Sequence, residues 1–151
     1  RVFKRHNRTN VNLAMMGSGP LPLLPVDKKY VIDLGYLSEQ NKRNAFAAAG
    51  VFCQPSLNES LSIVLMEAWL AETPAMVNAG CPVTVEHCGK SHGGLFFGNY
   101  YEFEEMLTLL LRNRSLAASL GKNGAAYVRK EYNWDAVIQR FENGLVKFGS
   151  A

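Results

Sequence analysis

Apolar and polar residues alternate along the chain in short blocks, and the blocks change period as the chain proceeds. Asn10 to Met16 reads as a strand that Gly17-Ser18-Gly19-Pro20 ends sharply. Pro20, Pro22 and Pro25 make the next segment a loop. Tyr30 to Leu34 is a second strand. Ser38 is placed to cap a helix running to about Ala49, with the stripe Ala45, Phe46, Ala48 and Ala49 and a stop at Gly50. Val51 to Gln54 is a third strand. An apolar helix covers Ile63 to Leu70, and Ala75 to Asn78 is a fourth strand. Pro82 to Val85 and Leu95 to Phe97 read as short extended pieces. Three helices close the chain. They are Tyr101 to Arg112, Ser115 to Tyr132, with breaks expected at Gly121 or Gly124, and Trp134 to Phe148. The order β-β-α-β-α-β followed by helices predicts an α/β fold with a Rossmann-like, mostly parallel sheet flanked by helices.

Within this pattern one stretch stands out. Glu59 lies in a polar loop after the third strand, and Glu67 lies inside the apolar helix that follows, with seven residues between them. In open α/β sheets, ligands bind beyond the carboxyl ends of the strands, and anions favour the N–H groups of a helix start. Glu59 is therefore expected in the mouth of a crevice, and Glu67 roughly 8 Å along the helix from Ser62 at 1.5 Å per residue. On one continuous helix the two carboxylates point roughly 80° apart, so they share a site only if Glu59 precedes the helix. A solvated pair of acids is the plainer reading from spacing alone. The apolar neighbours of Glu67 argue against it, because a carboxylate among them needs a partner or a ligand.

Length and charge bound the reading. The 151 residues amount to one domain, 1–151, with enough chain for a core. The net charge is +3, from 16 basic and 13 acidic residues. Arg1, Lys4, Arg5 and Arg8 all fall in the first ten residues, which leaves 12 against 13 beyond them. The basicity is thus one local helix face and no nucleic-acid footprint. No apolar stretch approaches the ~20 residues of a membrane span, and no signal peptide is visible. Cys53, Cys81 and Cys88 are too few and too odd for a disulfide framework, and a reducing cytoplasm suits them.

Rival chemistry is weaker. Cys81, His87, Cys88 and His92 fall within twelve residues, but their spacing matches no standard zinc knuckle, and they read as a loop over the crevice. Gly89-Lys90-Ser91 lacks the upstream Gly of a P-loop, since Thr84 stands there. Gly17-Ser18-Gly19 lacks the third Gly of a dinucleotide fingerprint, since Pro22 stands there. Trp69 and Trp134 read as core or domain-contact residues.

Taken in order, several motifs resemble the C-terminal domain of the group 1 retaining glycosyltransferases, the GT-B family with an E-x7-E motif. They are Met16 to Pro20, Leu34-Gly35-Tyr36-Leu37, Pro55-Ser56, Glu59-Ser60-Leu61-Ser62, Glu67-Ala68, Pro74, Gly93 to Phe97 and Tyr132-Asn133-Trp134. The resemblance implies the donor-binding half of an enzyme that moves a hexose from a nucleotide-diphosphate sugar to an acceptor with retention, in polysaccharide or glycolipid synthesis. Glu59 would face the donor sugar at the reacting centre, and Glu67 would accept hydrogen bonds from the ribose hydroxyls. The N–H groups of Ser60, Leu61 and Ser62 would meet sugar and phosphate oxygens. Tyr36 and Leu37 would lie near the base, and Gly17 and Gly19 would line the crevice wall. His87 or Lys90 would border the phosphates and the donor sugar.

No cofactor and no metal are expected. The resemblance also implies an acceptor-binding N-terminal domain and a first strand with diphosphate-neutralising cations, both ahead of Arg1, so that 1–151 would be an inactive fragment. It implies a cytoplasmic protein, peripheral at the inner membrane face only through that other domain. The sequence departs from the pattern at Leu61-Ser62, where Phe-Gly is common, and at Glu72-Thr73-Pro74, where Gly-x-Pro is common. The alternative function class is a non-catalytic α/β module that binds a nucleotide or effector.

Overall fold

A computed structural model describes residues 2–3 and 10–149. The basic face expected from Arg1, Lys4, Arg5 and Arg8 lies outside these residues. The chain divides into two compact units at Asn44 and Ala45, inside a helix that runs Glu39–Ala48.

In the first unit, β1 (Leu13–Met15) and β2 (Val31–Asp33) pair in parallel, with Leu13 opposite Val31 and Met15 opposite Asp33. Leu34 N–H extends the pair by donating to the Met15 carbonyl at 2.8 Å. Helix α1 (Glu39–Ala48) starts as expected, because Ser38 Oγ accepts from Asn41 N–H at 3.3 Å. Of its expected apolar stripe, Phe46 is buried, whereas Ala48 and Ala49 face solvent.

The second unit carries β3 (Phe52–Gln54), β4 (Ala75–Asn78) and β5 (Gly94–Phe97), paired in parallel in that order. Helix α2 (Ile63–Leu70) connects β3 to β4, and α3 (Pro82–Ser91) connects β4 to β5. The two-residue period of β4 divides the core. Ala75 and Val77 join Leu65, Met66 and Trp69 of α2, Cys88 of α3, and Val128. Met76 points the other way, to Leu110 and Leu120. The sheet is therefore covered on both faces, which is why its central strand reads as a continuous apolar run.

Helices α4 (Tyr100–Arg112), α5 (Arg114–Glu131) and α6 (Trp134–Gly149) complete the unit. Each starts on an asparagine cap. Asn99, Asn113 and Asn133 accept from the N–H groups of Glu102, Leu116 and Ala136.

Three expectations need correction. Residues 82–85 are not extended, and 81–92 is not a loop, because Pro82 opens the helix α3. Proline suits the first helical turn, where its missing N–H costs no hydrogen bond and its φ is already helical. Helix α5 is unbroken, and its glycines serve close packing. A Cβ on Gly121 would lie 1.8 Å from the Glu72 carbonyl oxygen. Of the two readings of Trp134, core or domain contact, the core one falls. The residue is 80% exposed, whereas Trp69 is fully buried and donates its indole N–H to the Gly93 carbonyl at 2.9 Å.

Candidate functional site

In the second unit Glu59 and Ser62, of the expected site residues, are held at the carboxyl end of β3. Gln54, the last residue of that strand, is buried. Its Nε2 donates to Glu59 Oε1 at 2.7 Å, and its Oε1 accepts from Ser62 Oγ at 2.8 Å. Glu59 therefore sits ahead of α2, half-buried and held from the strand end, as a shared site requires. Glu67 is also half-buried, on α2 itself, between the buried Met66 and Ala68.

Ser62 is the residue before α2, and its backbone is left-handed at φ 59° and ψ 60°. Its carbonyl accepts the first helical bonds, from Leu65 and Met66. Ser60 and Leu61 are exposed, while Ser62 is 4% exposed. Among the described residues, the N–H groups of Ser60, Leu61 and Ser62 donate to no protein acceptor. The loop is tied down further back, where Asn78 Nδ2 donates to the Pro55 carbonyl at 3.2 Å. Asn78 Oδ1 accepts from Gly80 N–H at 2.8 Å.

The first unit brings two of the expected segments together. Gly17 N–H donates to the Gly35 carbonyl at 2.9 Å, so the Gly-x-Gly turn meets the Gly35-Tyr36-Leu37 segment beyond the carboxyl ends of β1 and β2. Gly17 and Gly19 have φ of 145° and 110°, values an L side chain rarely adopts. Tyr36 is 83% exposed, and Leu37 is half-buried.

The Cys/His group resolves into a packed helix. Cys81 and Cys88 are buried, and His87 Nδ1 lies 3.0 Å from Tyr127 Oη, with its ring edge-on to Tyr127 and Tyr132. Burial holds the His87 imidazole below its ordinary pKa, with the Leu61 carbonyl and Glu86 opposing that shift. Lys90 is exposed and paired with Glu86. A cleft of about 820 Å³, lined by Lys90, His92, Tyr127, Lys130 and Arg140 among others, contains neither Glu59 nor Glu67. Among the described residues, no group of three or more His, Cys, Asp and Glu side chains is arranged to hold a metal ion.

Residues 26–127 match the model of the family described as glycosyl transferases group 1, and that match spans both units. The chain belongs to this family. Within the group 1 fold it is the C-terminal, GT-B domain, and its α/β architecture of parallel strands flanked by helices is shared with solved structures of similar fold. The chain is 30% identical, over 91% of its length, to a GDP-mannose-dependent monoacylated alpha-(1-6)-phosphatidylinositol monomannoside mannosyltransferase of Corynebacterium glutamicum. It spans 39% of that protein.

Among structures, sucrose-phosphate synthase from Thermosynechococcus elongatus superposes with a TM-score of 0.70 at 22% identity, over 83% of this chain and 32% of that one. Anabaena HepE in complex with UDP and glucose gives 0.71 at 16% identity, over 91% and 41%. These likenesses are of fold.

Gln54 is the residue bonded to Glu59 that sequence reading missed. Its signal was present in principle, as a lone amide ending an apolar strand just before Pro55-Ser56.

Proposed function

We propose that this chain is the donor-binding half of a glycosyltransferase that moves a sugar from a nucleotide-diphosphate sugar to an acceptor with retention of configuration. One observation carries the proposal. Glu59 is held at the carboxyl end of β3 by buried Gln54, ahead of the helix that carries Glu67. The names of two relatives support it, one being GDP-mannose-dependent and the other a complex with UDP and glucose.

Each residue has a stated part. Glu67 accepts hydrogen bonds from the ribose diol, for which an acceptor-only carboxylate is the natural partner. Glu59 accepts from hydroxyls of the donor sugar beside the reacting carbon. Hydrogen bonds to a charged group are worth about 1.5–3 kcal/mol each. The N–H groups of Ser60, Leu61 and Ser62, which have no protein acceptor, meet sugar and phosphate oxygens. Tyr36 and Leu37 serve the base, and Gly17 and Gly19 let the backbone come close to the ligand.

We propose further that the reaction uses no cofactor and no metal, and that a second domain binds the acceptor. Polysaccharide or glycolipid synthesis is the expected setting, in the cytoplasm or at the inner membrane face. Among the described residues, no helix is long and apolar enough to cross a membrane.

The test is a titration of the chain with UDP, GDP and ADP, followed by amide shifts and repeated with Glu67→Ala. Shifts at Gly35–Leu37 and Ser60–Glu67 for one nucleotide, lost in the variant, support the donor site and name the base. Binding that is indifferent to Glu67 and Glu59 sinks it in favour of an effector module.

A further inference from the structure

We infer that Gln54 is a positioning residue for Glu59, and that Ser62 decides which end of the Gln54 amide faces the carboxylate. The inference rests on the reading of Glu59 as the group that faces the donor sugar.

A carboxylate only accepts hydrogen bonds, so the amide must present Nε2 to Glu59. The 2.7 Å contact does so. The amide oxygen then points back into the core, where Gln54 is 6% exposed and an unpaired acceptor is costly. Ser62 Oγ meets it at 2.8 Å and can only be the donor in that contact. The chain of bonds therefore has one direction, from Ser62 through Gln54 to Glu59.

The geometry explains why this loop needs such an arrangement. Glu59 is a loop residue, and among the described residues Gln54 is the one side chain bonded to its carboxylate. Gln54 itself cannot move easily. It is in register with the fully buried Val77 of the central strand. Ser62 is fixed as the left-handed residue that begins α2. The sheet and the helix thus aim the loop carboxylate through two side-chain bonds. A serine at this left-handed position, where glycine is easier, supplies the hydroxyl that glycine lacks.

The experiment is a double-mutant cycle on the 151-residue chain. Dissociation constants are measured for UDP-glucose against UDP, and for GDP-mannose against GDP. Glu59→Ala is expected to weaken nucleotide-sugar binding about tenfold while leaving the nucleotide diphosphate unchanged. Gln54→Met, which keeps the volume and loses both bonds, is expected to weaken the sugar nucleotide by a similar factor and to spare the diphosphate. In the Glu59→Ala background, Gln54→Met should have no further effect.

Ser62→Gly suits the left-handed backbone, so it tests the same point if Gln54→Met does not fold. It should give a smaller loss in the same direction. The inference fails if the Gln54→Met loss persists in full without Glu59, if it strikes the diphosphate equally, or if it is absent while Glu59→Ala shows its effect. If Glu59→Ala leaves nucleotide-sugar binding intact, the reading of the site fails and takes the inference with it.

Discussion

The indole of Trp69 lies directly on the backbone of Gly124. A Cβ on Gly124 would come 2.3 Å from two of the ring carbons, so α2 and α5 approach more closely than any side chain at that position allows. Gly93, whose carbonyl takes the Trp69 N–H, also crowds this glycine, since a Cβ on Gly93 would lie 2.7 Å from the Gly124 Cα. Gly124→Ala is expected to destabilise the protein by about 2–3 kcal/mol, as overpacking of a rigid core does. Gly121→Ala should do the same against the Glu72 backbone. Urea denaturation measures both, and a loss under about 0.5 kcal/mol would mean that the helices separate freely.

Glu72 is exposed and left-handed at φ 59°. It stands where the resemblance to the group 1 pattern implies glycine, and Ser62 does the same at φ 59°. Two departures from the family pattern thus fall on backbone that favours glycine. Glu72→Gly is expected to stabilise the chain by about 0.5–1 kcal/mol, the relief of left-handed strain being partly offset by the greater freedom of glycine in the unfolded chain. Thermal and urea midpoints should both rise. Ser62→Gly should gain less, because it also strips the donor from buried Gln54.

His87 predicts a pH dependence. Burial lowers its pKa in the folded protein below the ordinary 6.5. The unfolded chain then binds the proton more readily, so stability is full above about pH 6.5 and falls as the pH drops below it. The slope from one such group is at most about 1.4 kcal/mol per pH unit. His87→Gln, whose amide can either donate to or accept from Tyr127, should flatten the difference in unfolding free energy measured between about pH 7.5 and pH 5.5. An unchanged slope would remove His87 as its source.

The thiols should be inert in the native state. Burial pushes Cys53 up to about 11 and Cys88 up to about 12. Burial alone would raise Cys81, but hydrogen bonds involving Thr84 and Val83 hold its thiol below the ordinary value, so its protection rests on its complete lack of exposure. At about pH 8, roughly one Cys53 in a thousand is thiolate, the form that reacts. A chromogenic disulfide reagent should label the folded protein slowly and all three cysteines rapidly in concentrated guanidinium. Rapid labelling of the native protein would show that the β3 end opens readily.

Much of this was legible in the chain. The order of elements, the cap at Ser38, the parallel strands and the place of Glu59 ahead of an apolar helix carrying Glu67 all follow from periods, caps and breaks within a few residues of one another. The helix Pro82–Ser91 was not legible. Its Val83, Thr84, Val85, His87, Cys88 and Gly89 are weak helix formers, and burial of Thr84, His87, Cys88 and Ser91 outweighs their local preference.

The sequence by itself determined the α/β order and the places of Glu59 and Glu67 along it, because those are encoded in local spacing, and its ordered motifs carried the resemblance to the family. Tertiary structure alone decided the rest. It selected Gln54 as the partner of Glu59, made Gly121 and Gly124 contact points instead of helix breaks, and turned His87 inward to Tyr127 across forty residues of chain. Those facts depend on which elements pack face to face. Packing is set by the fit of whole surfaces, which no local period records.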